Sequence, residues 1–213
     1  MERGDVYIVG AGTYGEVMLE LAQILGFNVK GFFDEDESKI NKNVMGKTVI
    51  GKFSDLDSTK IKGNKFIVAI GNNAARLNLM SKINKFGGQT PTLIHPTAVI
   101  SPSAEIGYGV YIHANAYIWS NAKIGNYCIV SPNVVIAHHT SIGEACLIST
   151  LSGVGASIKV ENLVFIGMGS TIVTGVTKIG SNTIIGAGAV LLNDAESNSI
   201  YVGIPAKKCR KNE

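Results

Sequence analysis

An isoleucine or valine occupies every sixth position of the chain from Ile94 to Ile172. Two residues before many of these positions the side chain is small, as at Ala116, Ala122 and Cys128. Neither the 3.6-residue period of an α-helix nor the alternation of a β-strand produces this spacing. A six-residue repeat with one aliphatic and one small inward position predicts a parallel β-helix, in which three hexads close a triangular coil of about 18 residues.

The repeat is irregular at one point and ends before the chain does. Seven residues rather than six separate Ile172 from Ile179, which predicts a bulge or short excursion there. The pattern fades after Asn193, and the ending YVGIPAKKCRK is expected to cover the last open coil. We therefore expect a β-helix domain over residues 91–195 and a C-terminal cap over residues 196–213.

The first 90 residues have a different pattern, typical of an α/β unit. DVYIVG predicts a strand, GAGTYG a turn, and EVMLELAQILG has the apolar spacing of a helix. NVKGFF and KFIVAIGNN predict two further strands. The predicted fold is therefore a Rossmann-like βαβ unit over residues 1–90, followed by the parallel β-helix.

Composition excludes several classes of protein. The formal net charge is +3, and the lysines are scattered without a long basic run, so nucleic acid is not predicted as a partner. No apolar stretch approaches the length of about 18 residues that a membrane span needs. The start, MERGDVYIVG, has no apolar leader segment, and the cysteines give no disulfide framework. These features predict a cytoplasmic protein without a membrane partner.

Two pairs of residues lie one predicted coil apart. Cys128 and Cys146 are expected to be small buried hydrophobes in one inward column, because zinc would need further ligands beside them. His95 and His113 follow aliphatic positions, and we expect them side by side on the outside of the coil.

Three glycines, Gly10, Gly12 and Gly15, form the pattern G-x-G-x-x-G between the first strand and the first helix, and Asp34 ends the next strand. This context favours nucleotide binding, because glycines let a phosphate approach the backbone and the helix N-terminus. The alternative is a tight turn without a ligand. Since 90 residues cannot supply a second mononucleotide half, NAD is a weaker candidate than a mononucleotide or a nucleotide-sugar.

Two adjacent histidines, His138 and His139, fall at a predicted corner of the coil. Histidine can take a proton from an attacking amine or hydroxyl at neutral pH, although a solvated turn histidine is the alternative. The coil neighbours are Ser120 and Ala156 for His138, and Asn121 and Ser157 for His139.

The hexads, the GAGTYG unit, the VIAHHTSIG segment and the ending VGIPAK together resemble the left-handed β-helix acyltransferases. Within them, the chain is similar over nearly its whole length to the nucleotide-amino-sugar acetyltransferases of the bacillosamine and perosamine type. The resemblance implies a left-handed coil and a homotrimer with the site between subunits. It also implies acetyl transfer from acetyl-CoA, without a metal, to the amine of a UDP- or dTDP-linked amino-deoxysugar in surface-polysaccharide synthesis.

The resemblance also implies roles for individual residues. The family's base lies in a V-I-x-H segment, here at His138. Relatives usually have Glu or Asp next, where this chain has His139, so we expect the two histidines to form the catalytic pair. A further family histidine falls on Leu147, which leaves backbone amides near Ala156 to polarise the thioester carbonyl. The implied sugar-nucleotide site comprises Gly10, Gly12, Thr13, Tyr14, Asp34, Glu35, Gly71, Asn72, Asn73 and Arg76. The implied acetyl-CoA site comprises Ala156, Gly167, Thr174 and Gly175.

Three other functions remain open at this point. The acceptor could be a hydroxyl of sialic acid or a similar sugar. A metal lyase of the same coil class would bind zinc through three histidines, two of them five residues apart, and no two histidines here have that spacing. A non-catalytic protein that binds a sugar-nucleotide is the third alternative, because fold alone does not determine function.

Overall fold

The computed structural model describes residues 3–212. The chain divides into two compact units, Met1–Leu93 and Ile94–Glu213. None of the helices among the described residues is both long and apolar enough to cross a membrane.

The first unit is built on a five-stranded sheet with the strand order β3-β4-β2-β1-β5. Its neighbouring strands are parallel except for the antiparallel pair β3 and β4. The strands are β1 (Asp5–Val9), β2 (Asn28–Phe33), β3 (Asn43–Val44), β4 (Lys47–Gly51) and β5 (Phe66–Val68). The helices are α1 (Thr13–Ile24), α2 (Ser58–Ile61) and α3 (Asn73–Lys85), with short 3-10 helices at Glu37–Lys39 and Phe53–Asp55.

Helix α1 forms because its apolar residues share one face. Met18, Leu19 and Ala22 are fully buried, and this spacing of three and four residues places them on one side of the helix. The helix contacts β1 and β2, where Val6 and Ile8 alternate into the same core. The predicted βαβ unit is confirmed, whereas the β3–β4 hairpin and α2 were not predicted.

The second unit consists mainly of two-residue strands stacked in three parallel sheets, which we call the first, second and third faces. The first face contains β7 (Val99–Ile100), β10 (Tyr117–Ile118), β13 (Val135–Ile136), β16 (Gly153–Val154), β19 (Thr171–Ile172) and β22 (Val190–Leu191). The second face contains β8 (Glu105–Ile106), β11 (Lys123–Ile124), β14 (Ser141–Ile142), β17 (Lys159–Val160) and β20 (Lys178–Ile179). The third face contains β6 (Leu93–Ile94), β9 (Tyr111–Ile112), β12 (Ile129–Val130), β15 (Leu147–Ile148), β18 (Phe165–Ile166), β21 (Ile184–Ile185), β23 (Ser199–Val202) and β24 (Lys207–Lys211).

The interior of the coil follows the predicted pattern of one aliphatic and one small residue per hexad. Ile118 and Ile136 are fully buried, and so are the small residues Ala116, Cys128 and Cys146. Both cysteines are free and buried, and their prediction as small buried residues is confirmed. Inward hydroxyls and thiols donate to backbone carbonyls of the next coil: Cys128 to Gly143 at 3.0 Å, Thr140 to Gly155 at 2.6 Å and Ser152 to Gly167 at 2.8 Å. These bonds provide partners for polar atoms that would otherwise be buried in the narrow interior without a hydrogen bond.

The corners between faces repeat an unusual backbone conformation. One residue at most corners, from Gly109 onwards, has a positive φ, which is 58° at Asn121 and 60° at His139. Asparagine and glycine adopt this left-handed region most easily, because a larger side chain crowds the following carbonyl. The non-glycine residues of this set are Asn115, Asn121, Tyr127, Asn133, His139, Ala145, Leu151, Ser157, Leu163 and Asn182.

The predicted slip in the repeat is confirmed. Thr174 and Val176 bridge to each other around Gly175, which has a φ of 112°. The extra residue is absorbed in this turn, because Val160 of β17 then pairs with Ile179 of β20 and the stack continues. The chain ends in the antiparallel hairpin of β23 and β24.

His113, which was predicted to lie beside His95 on the outside of the coil, is buried. The residue is only 6% exposed. Burial, together with the smaller effect of the charge of His95, lowers the pKa of His113 to about 4. The sequence could not indicate this, because the position after the inward aliphatic usually faces solvent in a hexad.

Candidate active site

The carboxyl ends of β1 and β5 lie side by side at one edge of the sheet in the first unit, and we call this edge the crevice. β1 pairs with β2 on one side and with β5 on the other, so the order of strands reverses between β1 and β5. Open α/β sheets bind ligands outside the carboxyl ends of their strands at such a reversal. The turn after β1 and the start of α1 carry Gly10 to Tyr14, and the loop after β5 and the start of α3 carry Gly71 to Asn73. The structure therefore brings these predicted residues to one edge of the sheet.

The three glycines of the turn differ in their physical role. Gly10 has a φ of 104°, and a Cβ on it would lie 2.8 Å from the Ala69 carbonyl oxygen. A Cβ on Gly15 would lie 2.2 Å from the Gly10 oxygen. At Gly12, by contrast, a Cβ would meet nothing within 4 Å, and the backbone is extended with a φ of −95°. Packing explains Gly10 and Gly15, and it leaves Gly12 as an open position at the N-terminus of α1.

Asp34 holds the glycine turn in place. Its carboxylate accepts the amide of Ala11 at 2.8 Å, the amide of Asp36 at 3.0 Å and the ammonium of Lys39 at 3.0 Å. Burial opposes ionisation of Asp34, but the hydrogen bonds from Asp36, Ala11 and Lys39 outweigh it and lower the pKa. The carboxylate predicted to contact the ribose or base is thus engaged within the fold, and its contact with a nucleotide stays a prediction.

Glu35 is engaged in a similar way. One carboxylate oxygen accepts the Ser54 amide at 3.0 Å, and the other accepts the Ser54 hydroxyl at 2.7 Å. These bonds fix the short helix Phe53–Asp55 against the end of β2. The sequence did not indicate this pairing, because Glu35 and Ser54 are separated by a hairpin that was not predicted.

The loop after β5 is organised by a buried arginine. Arg76 is fully buried, and its guanidinium donates to the carbonyls of Ile70 at 3.1 Å and Gly71 at 3.3 Å and to Asn73 Oδ1 at 2.8 Å. Asn72 caps α3 by accepting the Ala75 amide at 2.9 Å. Arg76 therefore shapes the predicted pocket from behind, while Gly71 and Asn72 lie at the crevice. On α1, Thr13 is exposed and Tyr14 half-buried.

The two histidines lie at a corner between the first and second faces, and both side chains are exposed. His138 Nδ1 and His139 Nδ1 are 3.1 Å apart, and the rings meet edge to face. His139 Nε2 is 3.3 Å from Asn121 Nδ2. Both ring nitrogens of His139 therefore have partners, while His138 Nε2 has no hydrogen-bond partner within residues 3–212. Trp119 lies beside His138, with ring centroids 6.1 Å apart.

Part of the predicted acetyl-CoA site lies on the same corner. Ala156 is one coil beyond His138, and its amide donates to Thr174 Oγ1 at 3.3 Å. The amide that was expected to polarise the thioester is thus engaged by a hydroxyl. Gly175 follows Thr174 in the slipped turn. Gly167 lies on another corner, after β18, where a Cβ would be 2.6 Å from the Ala187 amide nitrogen.

Among the described residues, no group of three or more histidine, cysteine or acidic side chains is placed to hold a metal ion. The buried cysteines Cys128 and Cys146 instead donate to backbone carbonyls.

The comparisons with known proteins agree with this architecture. The family described as PglD N-terminal domain matches residues 5–83, and the bacterial transferase hexapeptide (six repeats) matches residues 103–138. A histidine-to-asparagine variant of perosamine N-acetyltransferase from Caulobacter crescentus, solved with CoA and GDP-perosamine, is 32% identical. The match covers 97% of each chain with a TM-score of 0.90. The chain belongs to this N-acetyltransferase family.

Further relatives of this N-acetyltransferase family point the same way. The acetyltransferase domain of PglB from Neisseria gonorrhoeae is 28% identical over 96% of this chain and 99% of that chain, with a TM-score of 0.86. UDP-N-acetylbacillosamine N-acetyltransferase from Bacillus subtilis is 43% identical over 47 residues, which is 22% of each chain. The matches to curated relatives span at most 28% of those relatives' lengths. The predicted family, its enzyme class and the left-handed β-helix fold are confirmed.

Sequence reasoning named Asn121 only as a coil neighbour of His139 and gave it no role. The separation of 18 residues between them is one coil. An amide-bearing residue one coil from a candidate base is the signal that could have identified it.

Proposed function

We propose that this N-acetyltransferase moves the acetyl group of acetyl-CoA to the amine of a nucleotide-linked amino-deoxysugar. The proposal is supported by the likeness, over 97% of each chain, to a sugar N-acetyltransferase solved with CoA and GDP-perosamine. The nucleotide was predicted to be UDP or dTDP. One relative was solved with GDP-perosamine and another is named for a UDP-sugar, so the test varies the nucleotide of the acceptor sugar.

The nucleotide is proposed to bind at the crevice between β1 and β5. Gly12 leaves the N-terminus of α1 open, and a phosphate there could accept backbone N–H groups at the positive end of the helix dipole. Gly71 and Asn72 would close the other side. Asp34, Glu35 and Arg76 support this proposal by holding the two loops in shape.

His138 is proposed as the general base. The observation that carries this assignment is that His138 Nε2 has no hydrogen-bond partner among the described residues, whereas both nitrogens of the neighbouring His139 are engaged by His138 and Asn121. A base must have an unoccupied nitrogen within reach of the proton that it removes. His139 is then a positioning residue, in place of the carboxylate that relatives usually have.

The reaction is proposed to proceed by direct attack. The sugar amine forms a C–N bond with the thioester carbonyl carbon, and its proton passes to His138 Nε2. The C–S bond then breaks, and the proton passes from His138 to the departing sulfur, giving the acetamido sugar and CoA. The donor is proposed to lie along the corner past Ala156, Thr174 and Gly175, and to reach Gly167 on the neighbouring corner.

The assembly is proposed to be a homotrimer with the site between subunits. The first face supports this, because Val99, Tyr117 and Val135 are 56%, 40% and 39% exposed and form one outward column. Burial of such a column between copies would remove apolar surface from water. A cytoplasmic location and a role in surface-polysaccharide precursor synthesis complete the proposal.

Release of the CoA thiol, measured with a panel of UDP-, dTDP- and GDP-linked amino sugars, tests the proposal. His138→Ala should lower kcat by about a hundredfold or more with little change in KM for the sugar-nucleotide. His139→Ala should cost less, and His95→Ala, a coil histidine away from this corner, should have no effect. A greater loss in His139→Ala would exchange the roles of the pair. If acetyl transfer were found only to sugars with a hydroxyl acceptor, the proposed N-acetylation would be refuted in favour of O-acetylation.

A further inference from the structure

The corner that carries the two histidines contains a third polar side chain in line with them. Asn121, His139 and His138 form a continuous series of contacts, from amide to ring at 3.3 Å and from ring to ring at 3.1 Å. Asn121 is held by the coil itself, since its backbone amide donates to Ser103 Oγ at 3.1 Å and its φ is 58°.

The number of protons shared along this series makes the protonation of His138 depend on the orientation of Asn121. A hydrogen bond between two Nδ1 atoms contains one proton. When His139 Nδ1 donates it, His138 Nδ1 must accept it, and when His138 Nδ1 donates it, His139 Nδ1 must accept it. A neutral histidine carries its proton on one nitrogen only. The group that faces His139 Nε2 therefore determines which nitrogen of His138 is protonated.

The side-chain amide of Asn121 can present either of two groups to His139. With Nδ2 facing Nε2, as in the structure, the amide donates, His139 carries its proton on Nδ1, and His138 is left with a proton on Nε2. When the amide turns over, Oδ1 accepts a proton from His139 Nε2. His139 Nδ1 then accepts from His138 Nδ1, and His138 Nε2 has the free lone pair that a base needs.

We propose that Asn121 is a positioning residue that selects, through His139, the tautomer of His138. The inference rests on the proposed role of His138 as the base. The state with Asn121 Oδ1 facing His139 is the productive one, because His138 Nε2 then accepts the amine proton while its Nδ1–H stays bonded to His139. The same state also stabilises the imidazolium that forms. Asn121 and His139 thus act together in place of the carboxylate that usually orients a catalytic histidine.

The test compares two variants that tolerate the left-handed backbone at this corner. Asn121→Gly removes the amide without backbone strain, and Asn121→Asp replaces it with a group that can only accept. Asn115→Gly is the matched control, because Asn115 has the same φ of 58° and the same type of backbone bond, to Thr97 Oγ1 at 3.1 Å, but no bond to a histidine in the structure.

Asn121→Gly should lower kcat by about tenfold or more, with both KM values nearly unchanged, because binding does not depend on the tautomer. Asn121→Asp should keep most of the wild-type kcat. Its rising pH limb should shift upward by on the order of one pH unit, since a carboxylate stabilises the nearby imidazolium. Nitrogen-15 NMR should show the His138 proton on Nδ1 in Asn121→Asp and a loss of this preference in Asn121→Gly, with His138→Ala assigning the signals.

Equal kcat values in Asn121→Gly and Asn115→Gly would overturn the positioning role, and so would an unchanged His138 tautomer in both Asn121 variants. These results would leave the base assignment intact if His138→Ala is still slow. Wild-type turnover in His138→Ala would instead refute the base itself, and the role of Asn121 with it.

Discussion

Replacement of Gly12 should weaken binding of the sugar-nucleotide without unfolding the protein. Gly12→Val places a branched side chain where the fold offers no contact within 4 Å and where the backbone is already extended. The expected cost in stability is therefore only that of an apolar residue at a helix N-cap, up to about 1 kcal/mol. The fold should survive the change.

The effect on substrate should be much larger. If a phosphate accepts an amide at the N-terminus of α1, the valine methyl groups displace it and remove at least one charge-assisted hydrogen bond, worth about 2 kcal/mol. Since 1.4 kcal/mol corresponds to a factor of ten, KM for the sugar-nucleotide should rise about 30-fold. KM for acetyl-CoA should stay nearly unchanged, because its proposed contacts are on the coil.

Steady-state kinetics with the second substrate saturating would measure both constants, and a thermal melt would report the stability. Equal increases in the two KM values, or none, would refute the assignment of the nucleotide to this crevice. A large drop in melting temperature would contradict the conclusion that the fold has room for a side chain at Gly12.

Three further predictions follow from packing, burial and assembly. Gly15→Ala should destabilise the protein in urea unfolding, because the overlap with the Gly10 oxygen costs about 1–3 kcal/mol or more and outweighs the gain of about 1 kcal/mol in helix propensity. The free energy of unfolding should decrease as the pH falls from 6.5 to about 4, because of His113. Burial lowers the pKa of His113 to about 4, so the unfolded chain binds the proton at a higher pH than the folded chain does. Urea unfolding of His113→Gln should lack this component, and an identical pH dependence would contradict the prediction. Sedimentation should show a trimer that loses activity on dilution into monomers, and a fully active monomer would exclude a shared site.

The coil can be predicted from the sequence, because the pattern that specifies it is local. The inward aliphatic and small residues repeat every six positions, so Ile118, Cys128 and the slip before Ile179 are all readable without the structure. The same reasoning fails at His113, because a hexad position predicts direction relative to the coil and not the burial of one particular side chain.

The first unit is harder to predict, because its contacts join distant residues. The hairpin of β3 and β4 buries only Val49 fully, so its alternating pattern is too short to stand out. Asp34 and Arg76 look like substrate-binding residues in the sequence. Their partners, the Ala11 amide and the Ile70 and Gly71 carbonyls, are backbone groups whose positions depend on the folded loops. Residue type therefore predicted which loops meet at this edge of the sheet and not the hydrogen bonds that each side chain makes.

The division of each coil into three faces restricts how such a chain can change in length. Deleting six residues would leave every inward aliphatic in phase, yet each later strand would move to the next face. A hexad inserted between Asn121 and His139 would keep both at corners and separate them by a third of a turn. Apart from residues absorbed within a corner turn, as at Gly175, only the gain or loss of whole coils of 18 residues keeps each strand on its face. Chimeras and evolutionary insertions that retain activity should therefore change length by whole coils or within corner turns.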